Sequence, residues 1–135
     1  MDEPRWLSRR VGDELHNREI QRHGGLPGIR DEGAIESALA RPRQKWTYDP
    51  EADLADLAAA YGFGLARNHG YLDGNKRVGF VALAVFLQIN GRRLVAPEVE
   101  AVTVMRGVAA GELDEAALAV WIRRSITPAG EKSGA

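Results

Sequence analysis

Hydrophobic residues are densest in the second half of the chain. Residues 78–90 are apolar on almost every face of the helix that they would form, so the pattern predicts a buried central helix from about Gly74 to Asn90. Gly91 follows, where a helix commonly ends in a left-handed residue. The polar segment His69–Arg77 precedes the apolar run and should therefore lie at the N-terminal end of the central helix.

Amphipathic spacing predicts further helices around this central one. Each combines apolar residues at helical intervals with charged residues on the opposite side. The sequence therefore predicts an all-α fold, a compact helical bundle packed around the central helix. The predicted surrounding helices run from Leu7 to about His23, from Glu32 to about Arg41, from 52 to about 68, from Glu98 or Val99 to about Ala109, and from Leu113 to Ile126.

Glycine and proline mark the predicted breaks. The segment Gly24–Arg30 holds three glycines and a proline, which favours a tight, specific loop. Pro42 is expected to end the second helix because proline lacks the N–H that a helix interior needs, which leaves 42–51 as an ordered flap or loop. Only Arg93–Val95 suggests an extended piece. Residues 127–135 carry no large apolar side chain and are predicted to be a disordered tail.

Local signals refine these helices. Asp31 and Asp114 are expected N-caps, because a short carboxylate can accept hydrogen bonds from free N–H groups of a first turn. His16 and Glu19 fall on what we interpret as the exposed polar face of the first helix. The helix over 52–68 would deliver His69 at its C-terminal end.

Composition limits the possible functions. A chain of 135 residues with 44% apolar content suits one domain, here 1–126. Its 18 basic and 19 acidic side chains nearly balance and form no basic stripe, so we expect neither direct nucleic-acid binding nor a membrane partner. The absence of cysteine removes thiolate chemistry, and neither a signal peptide nor a spanning segment is recognisable, which favours the cytoplasm.

Two residues of the segment His69–Arg77 could carry chemistry. An imidazole such as that of His69 can accept a proton near neutral pH, and a carboxylate such as that of Asp73 suits Mg²⁺, which takes few protein ligands and keeps water and phosphate. Taken alone, His69 would more simply stabilise a helix C-terminus and Asp73 would more simply cap a helix. Their combination within nine residues indicates phosphate chemistry instead.

The rest of the segment supplies candidate phosphate ligands. Gly74 lets the backbone approach an anion, Asn75 offers an amide donor, Lys76 a mobile charge and Arg77 a planar, two-pronged contact. Two cations at a helix N-terminus oppose the helix dipole at about 0.3–1 kcal/mol each, a cost that a bound anion would offset. P-loop, zinc-protease and serine-nucleophile motifs are absent from the sequence.

The segment His69-Gly-Tyr-Leu-Asp-Gly-Asn-Lys-Arg77 resembles the motif His-x-Phe-x-Asp/Asn-Ala/Gly-Asn-Lys-Arg of the Doc (death on curing) toxins, a branch of the Fic fold. Tyr71 replaces the usual phenylalanine, and Gly70 stands where proline or isoleucine is expected. The resemblance covers roughly residues 5–125. Four further segments match Doc proteins in order and spacing: Gly25–Asp31, Glu36–Pro42, Asp56–Tyr61 and Ala66–His69.

The resemblance implies a Fic-type helical bundle and transfer from ATP to a protein hydroxyl. Fic proteins that transfer AMP have glycine where this chain has Lys76; a long cation there would fill the space for the α- and β-phosphates, which implies a reversed ATP and γ-phosphate transfer. His69 would then be the base, Asp73 the Mg²⁺ ligand, and the stretch Gly74–Arg77 the phosphate clamp, with Arg67 as a further candidate.

The resemblance also implies partners. Doc toxins belong to type II toxin–antitoxin systems, are blocked by a Phd-like antitoxin whose disordered C-terminal segment folds into a groove, and phosphorylate elongation factor Tu so that translation stops. Two alternatives remain open at this stage. One is transfer of AMP or another nucleotide to a protein hydroxyl, and the other is a non-catalytic protein that binds a partner.

Overall fold

The computed structural model describes residues 1–129, and within that range six helices and two short strands form. The prediction of an all-α fold is confirmed. None of the described helices is both long enough and apolar enough to cross a bilayer. The elements in chain order are α1 (Arg9–His23), α2 (Glu32–Tyr48), α3 (Leu54–Asn68), α4 (Asn75–Ile89), β1 (Arg92–Leu94), α5 (Glu98–Ala109), α6 (Glu115–Ser125) and β2 (Ile126–Pro128).

Helices α3 and α4 form the centre of the fold. Both are short of polar side chains, and the packed residues Leu57, Tyr61 and Phe86 are fully buried between them and their neighbours. The two helices approach closely at a pair of glycines, since a Cβ on Gly79 would lie 2.9 Å from the carbonyl oxygen of Gly62. Helices α2 and α6 pack on α3, and α1 packs on α4. The predicted buried central helix is therefore confirmed as α4.

Helix α2 is longer than the sequence predicts. Pro42 lies buried inside it, and the helix continues to Tyr48, so the predicted end at Arg41 and the predicted loop over 42–48 are wrong. Proline removes one N–H from the helical ladder, at a cost of about 3 kcal/mol. Tertiary packing holds the helix on both sides of this break: Pro42 is itself buried, and Trp46 meets Trp6 edge to face with ring centroids 6.2 Å apart.

The chain after α4 turns back on itself. Gly91 has φ +81°, which confirms its predicted left-handed conformation. Strand β1 follows and pairs antiparallel with β2, with Arg93 opposite Thr127. The extended piece predicted near Arg93 is thus present, whereas the predicted disordered tail is wrong for Thr127 and Pro128. Residues 130–135 of that predicted tail lie outside the described residues.

Aspartates begin three of the helices. Asp31 and Asp114 accept hydrogen bonds from the N–H groups of Ala34 and Ala117, which confirms both predicted N-caps. Asp53 caps α3 in the same way, and Asp56 reaches back to the N–H of Asp53 to complete a capping box. These caps fix where α2, α3 and α6 start. The start of α3 matters most here, because its opposite end carries His69.

Candidate active site

His69 lies at the junction between α3 and the motif loop. It ends α3 with φ 50° and ψ 46°, and it is the one non-glycine residue with positive φ in the described range 1–129. This left-handed conformation costs a non-glycine residue about 1–3 kcal/mol, so the surrounding structure must hold it. The Arg30 side chain does so by donating from Nε to the His69 carbonyl at 3.0 Å. The imidazole itself is exposed and makes no hydrogen bond within residues 1–129, so it is open to a substrate.

The glycine-rich loop between α1 and α2 runs beside the motif loop and fastens it. The carbonyl of Gly70 accepts two N–H groups, from Arg30 at 2.8 Å and from Asp31 at 3.0 Å. Farther along, the N–H of Leu72 donates to the carbonyl of Gly28 at 3.1 Å. The predicted tight loop therefore forms one wall of the site.

Asn75 closes the motif loop from inside. Its Oδ1 accepts the N–H of Tyr71 at 3.1 Å, and its Nδ2 donates to the carbonyl of the same residue at 3.0 Å. The second N–H of the Asn75 amide has no partner in these two bonds. The expected hydrogen bond from Asn75 to phosphate stays a prediction, and it would use this second N–H. What the structure shows is a loop-fixing role that the sequence did not indicate.

The Asp73 carboxylate is exposed and held by two backbone donors. Its Oδ2 accepts the N–H of Leu26 at 3.2 Å, and its Oδ1 accepts the N–H of Gly74 at 2.8 Å. The Leu26 bond first, then the Gly74 bond and the nearby charge of Arg77, lower the pKa of Asp73 below its usual value. Asp73 does not cap α4: Gly74 occupies the N-cap position with φ +75°, and no side chain caps that helix.

A single carboxylate limits the kind of metal site that is possible here. No group of three or more histidine, cysteine or acidic side chains capable of holding a metal exists in residues 1–129, so a cage made entirely of protein ligands is not offered in that range. Asp73 alone fits Mg²⁺, which takes one or two carboxylates and fills its octahedron with water and substrate phosphates. The space beside the carboxylate is kept by Gly25, where a Cβ would lie 2.7 Å from Asp73 Oδ2.

The N-terminus of α4 is open to an anion. The first hydrogen bond of the helix runs from the N–H of Val78 to the carbonyl of Gly74 at 2.9 Å, so the N–H groups of the turn before it point out of the helix. Lys76 is exposed, and its ammonium has no ion pair or hydrogen bond to any described residue. Arg77 is half-buried and donates from Nη2 to the carbonyl of Gly24 at 3.1 Å. Lys76 is thus the free cation of the predicted clamp, while Arg77 is anchored to the glycine loop.

His16 is a site residue that sequence reasoning missed. The predicted polar face of α1 is wrong for His16 and Glu19, which are 1% and 7% exposed. His16 stacks parallel to Tyr71, with centroids 3.8 Å apart, and its Nε2 lies 2.7 Å from the carbonyl oxygen of Asp73. A signal was present in Gly12, one turn earlier, where a Cβ would lie 3.3 Å from Leu39: the small residue marks this face of α1 as packed.

Comparison with known proteins agrees with this site. The family model of the Fic/DOC family matches residues 6–87, which is more than half of the chain and contains every motif residue. The chain belongs to the Fic/DOC family. It is 36% identical over 111 residues to the "Protein kinase doc" of Escherichia phage P1, an alignment that covers 82% of this chain and 86% of that protein. It is also 45% identical over 74 residues to the "Toxin Doc" of Mycolicibacterium smegmatis, covering 54% of this chain and 57% of that protein.

These relatives make the chain a Doc-type Fic/DOC protein, as the motif indicates. The matched region 6–87 holds α1, the glycine loop, α2, α3 and nearly all of α4, so the helices that build the site are the Fic/DOC part of the chain. Arg67, a further candidate from the sequence, has a different place in this Fic/DOC protein. It donates from Nη1 to the carbonyl of Ala109 at 3.3 Å and so ties α3 to the end of α5.

Proposed function

We propose that this Fic/DOC protein is a Doc-like toxin kinase, which transfers the γ-phosphate of ATP to a serine or threonine hydroxyl of a translation factor. Elongation factor Tu is the expected target. The observation that carries the proposal is Lys76: an exposed ammonium without a partner in residues 1–129, at the open N-terminus of α4. The phage P1 relative, which bears the name of a protein kinase, supports the same reaction.

Each of the exposed side chains of the motif can serve a different step of the transfer. His69 takes the proton of the incoming hydroxyl on a ring nitrogen, while the hydroxyl oxygen forms its bond to the γ-phosphorus and the bond to the leaving ADP breaks. Lys76 and the free N–H groups of the first turn of α4 stabilise the negative charge on the phosphate oxygens. A magnesium ion held by Asp73 and the phosphates would neutralise further charge.

Lys76 also bears on how ATP lies in the site. We infer that the Lys76 side chain, exposed in the first turn of α4, takes up space that an AMP-transferring protein must leave for the α- and β-phosphates. With that volume filled, the γ-phosphate is the group that reaches the lysine and the imidazole. We therefore favour phosphate transfer over nucleotidyl transfer, which remains the second candidate because the open N–H groups could bind either end of the triphosphate.

The proposal extends to a partner. A toxin that stops translation must be held inactive in its own cell, so we propose that the protein belongs to a type II system with a Phd-like antitoxin whose disordered C-terminal segment folds on binding. The relative named as a toxin supports this arrangement. Co-expression of the toxin with its neighbouring gene product should restore growth that the toxin alone stops.

The first experiment is a transfer assay. Purified protein, ATP, Mg²⁺ and bacterial elongation factor Tu are mixed, and the target is weighed by intact mass spectrometry. One added phosphate is expected, and it should disappear in His69→Ala and Asp73→Asn. His23→Ala is the matched control, because His23 is likewise an exposed histidine near a helix C-terminus. An unmodified target that nonetheless binds the protein would contradict the kinase and favour the non-catalytic binding protein.

Replacing the lysine tests the orientation of ATP. Lys76→Gly should weaken phosphate transfer and admit transfer of AMP, detected as a larger mass gain on the target. Lys76→Arg is the matched variant: it keeps charge and bulk and should not transfer AMP. If Lys76→Gly keeps full kinase activity and gains no AMP transfer, the lysine does not set the orientation.

A further inference from the structure

The buried imidazole of His16 touches the motif loop, yet no step of the proposed reaction uses it. At 1% exposure it is out of reach of any substrate. It comes from α1, an element outside the motif, and its one hydrogen bond to the motif loop joins Nε2 to the carbonyl oxygen of Asp73 at 2.7 Å. A buried polar side chain with one short bond to the backbone of a candidate metal ligand can act on that ligand without touching the substrate.

The His16 ring is fixed in place by a second side chain. It stacks on Tyr71 with an angle of 8° between the planes. The Tyr71 hydroxyl donates to Asp13 Oδ1 at 2.7 Å, and Arg9 Nε donates to the same oxygen at 2.9 Å. Burial, and next the bond to Asp13, raise the pKa of the Tyr71 hydroxyl, which therefore stays protonated and keeps donating. These contacts hold the imidazole flat against Tyr71 with Nε2 at the Asp73 carbonyl.

The direction of the contact to Asp73 follows from chemistry. A backbone carbonyl can only accept a hydrogen bond, so His16 Nε2 carries the proton and donates it. The accepting oxygen belongs to the peptide that joins Asp73 to Gly74, and Gly74 takes the left-handed conformation that begins α4. The donor from α1 therefore fixes the peptide plane at the point where the chain must turn into the helix.

We propose that His16 is a positioning residue for Asp73: its Nε2–H holds the Asp73 carbonyl and thereby sets the direction in which the carboxylate faces Mg²⁺ and phosphate. The proposal rests on the proposed function only in that Asp73 binds the metal. With the peptide fixed, the N–H groups of Leu26 and Gly74 each hold one carboxylate oxygen, and the exposed carboxylate keeps further lone pairs for a metal. Partners that orient metal ligands typically change affinity or activity about 10–100-fold when they are removed.

Two substitutions separate the hydrogen bond from the packing. His16→Phe keeps a flat ring that can stack on Tyr71 but has no donor. His16→Gln loses the ring but places an amide N–H near the position of Nε2. A histidine that only fills space would tolerate phenylalanine better than glutamine, whereas a positioning donor gives the opposite order.

The readout is metal binding rather than turnover. Mn²⁺ replaces Mg²⁺, and its affinity for the protein with a non-hydrolysable ATP analogue is measured by electron paramagnetic resonance. We expect His16→Phe to weaken Mn²⁺ binding about 10–100-fold, with His16→Gln closer to the parent protein. Parent-like Mn²⁺ affinity in a folded His16→Phe, or an equal loss in both variants, would overturn the proposal.

Two further measurements apply even if His16→Phe does not fold. Tyr71→Phe keeps the stacking and removes the bond to Asp13; we expect a smaller loss of Mn²⁺ affinity, and no loss would contradict the fixed-ring argument. In the unsubstituted protein, nitrogen NMR should show His16 protonated at Nε2, and a proton only on Nδ1 would overturn the proposal. Because Mn²⁺ binding needs no phosphate transfer, a protein that binds Mn²⁺ through Asp73 but modifies no target would refute the proposed kinase and leave this inference standing.

Discussion

Gly70 offers a sharp test of how the motif loop is packed. A Cβ on this residue would lie 2.4 Å from Cγ1 of Ile35 and 3.0 Å from its backbone nitrogen. Ile35 is 1% exposed at the start of α2, so neither its side chain nor its backbone has room to move away. Gly70→Ala should therefore push the loop that begins at His69 away from α2.

The expected change in the free energy of unfolding for Gly70→Ala is the difference between two opposing effects. Replacing glycine by alanine at a position of ordinary backbone geometry stabilises by about 0.4–1 kcal/mol through the unfolded chain. Overpacking a filled site costs about 1–3 kcal/mol, so we expect a net loss of about 1–2 kcal/mol in the free energy of unfolding. A displacement of about 1 Å next to the base can also lower the rate about 100-fold, so activity should fall more than stability indicates.

A double-mutant cycle measured by urea denaturation isolates the contact. Ile35→Ala alone should cost about 2–5 kcal/mol because it leaves a cavity, and the double variant should lose about 1 kcal/mol less than the sum of the two single losses, since the added methyl group enters that cavity. Gly33→Ala is the matched control: its Cβ would meet only Asp31 Oδ1 at 3.5 Å, so it should be neutral or stabilising. A stabilised Gly70→Ala, or strict additivity in the cycle, would refute the packing argument.

Three further predictions follow from single contacts. Arg30→Ala removes the donor to the His69 carbonyl and should lower kcat with little change in KM for ATP, while Arg30→Lys should recover part of the rate; a change confined to KM would contradict this role. Asp53→Ala removes the cap of α3 and should cost about 0.5–2 kcal/mol in urea denaturation. The hydrogen bond from Arg123 lowers the pKa of Asp53 to about 2, so the stability it contributes should be complete above pH of about 4 and disappear as the pH falls toward 2, a loss that Asp53→Ala should not show.

The spacing of hydrophobic residues was enough to predict much of the fold from the sequence. The apolar run of α4 admits one interpretation because its residues are apolar all round, and it places the motif at a helix N-terminus without coordinates. Pro42 shows where such reasoning fails. Proline is a local helix breaker, but the helix continues past it, and Trp46 beyond the proline packs against Trp6, a residue 40 positions earlier in the sequence that a local pattern does not include.

The sequence motif predicted which residues belong to the site, but not how these residues contact one another. The motif identifies Asp73 and Asn75 as polar candidates, yet it cannot show that Asn75 binds the loop itself or that Gly74, rather than Asp73, caps α4. His16 was placed on the wrong side because a polar residue on an amphipathic helix is assigned to solvent by default. Only the contacts of His16 with Tyr71 and Asp73 show that this face of α1 covers the motif loop.

Burial also divides the site into two parts that differ in how far a substitution reaches. The backbone of the motif is anchored in α3 and α4, where a substitution disturbs the core of the whole chain. The wall formed by Gly24–Arg30 is exposed at every residue and is held to the motif chiefly through backbone atoms. Exchanges of Leu26 or Ile29 should therefore cost the core little and leave the motif in place, whereas Arg30 joins the two parts because its Nε donates to the His69 carbonyl.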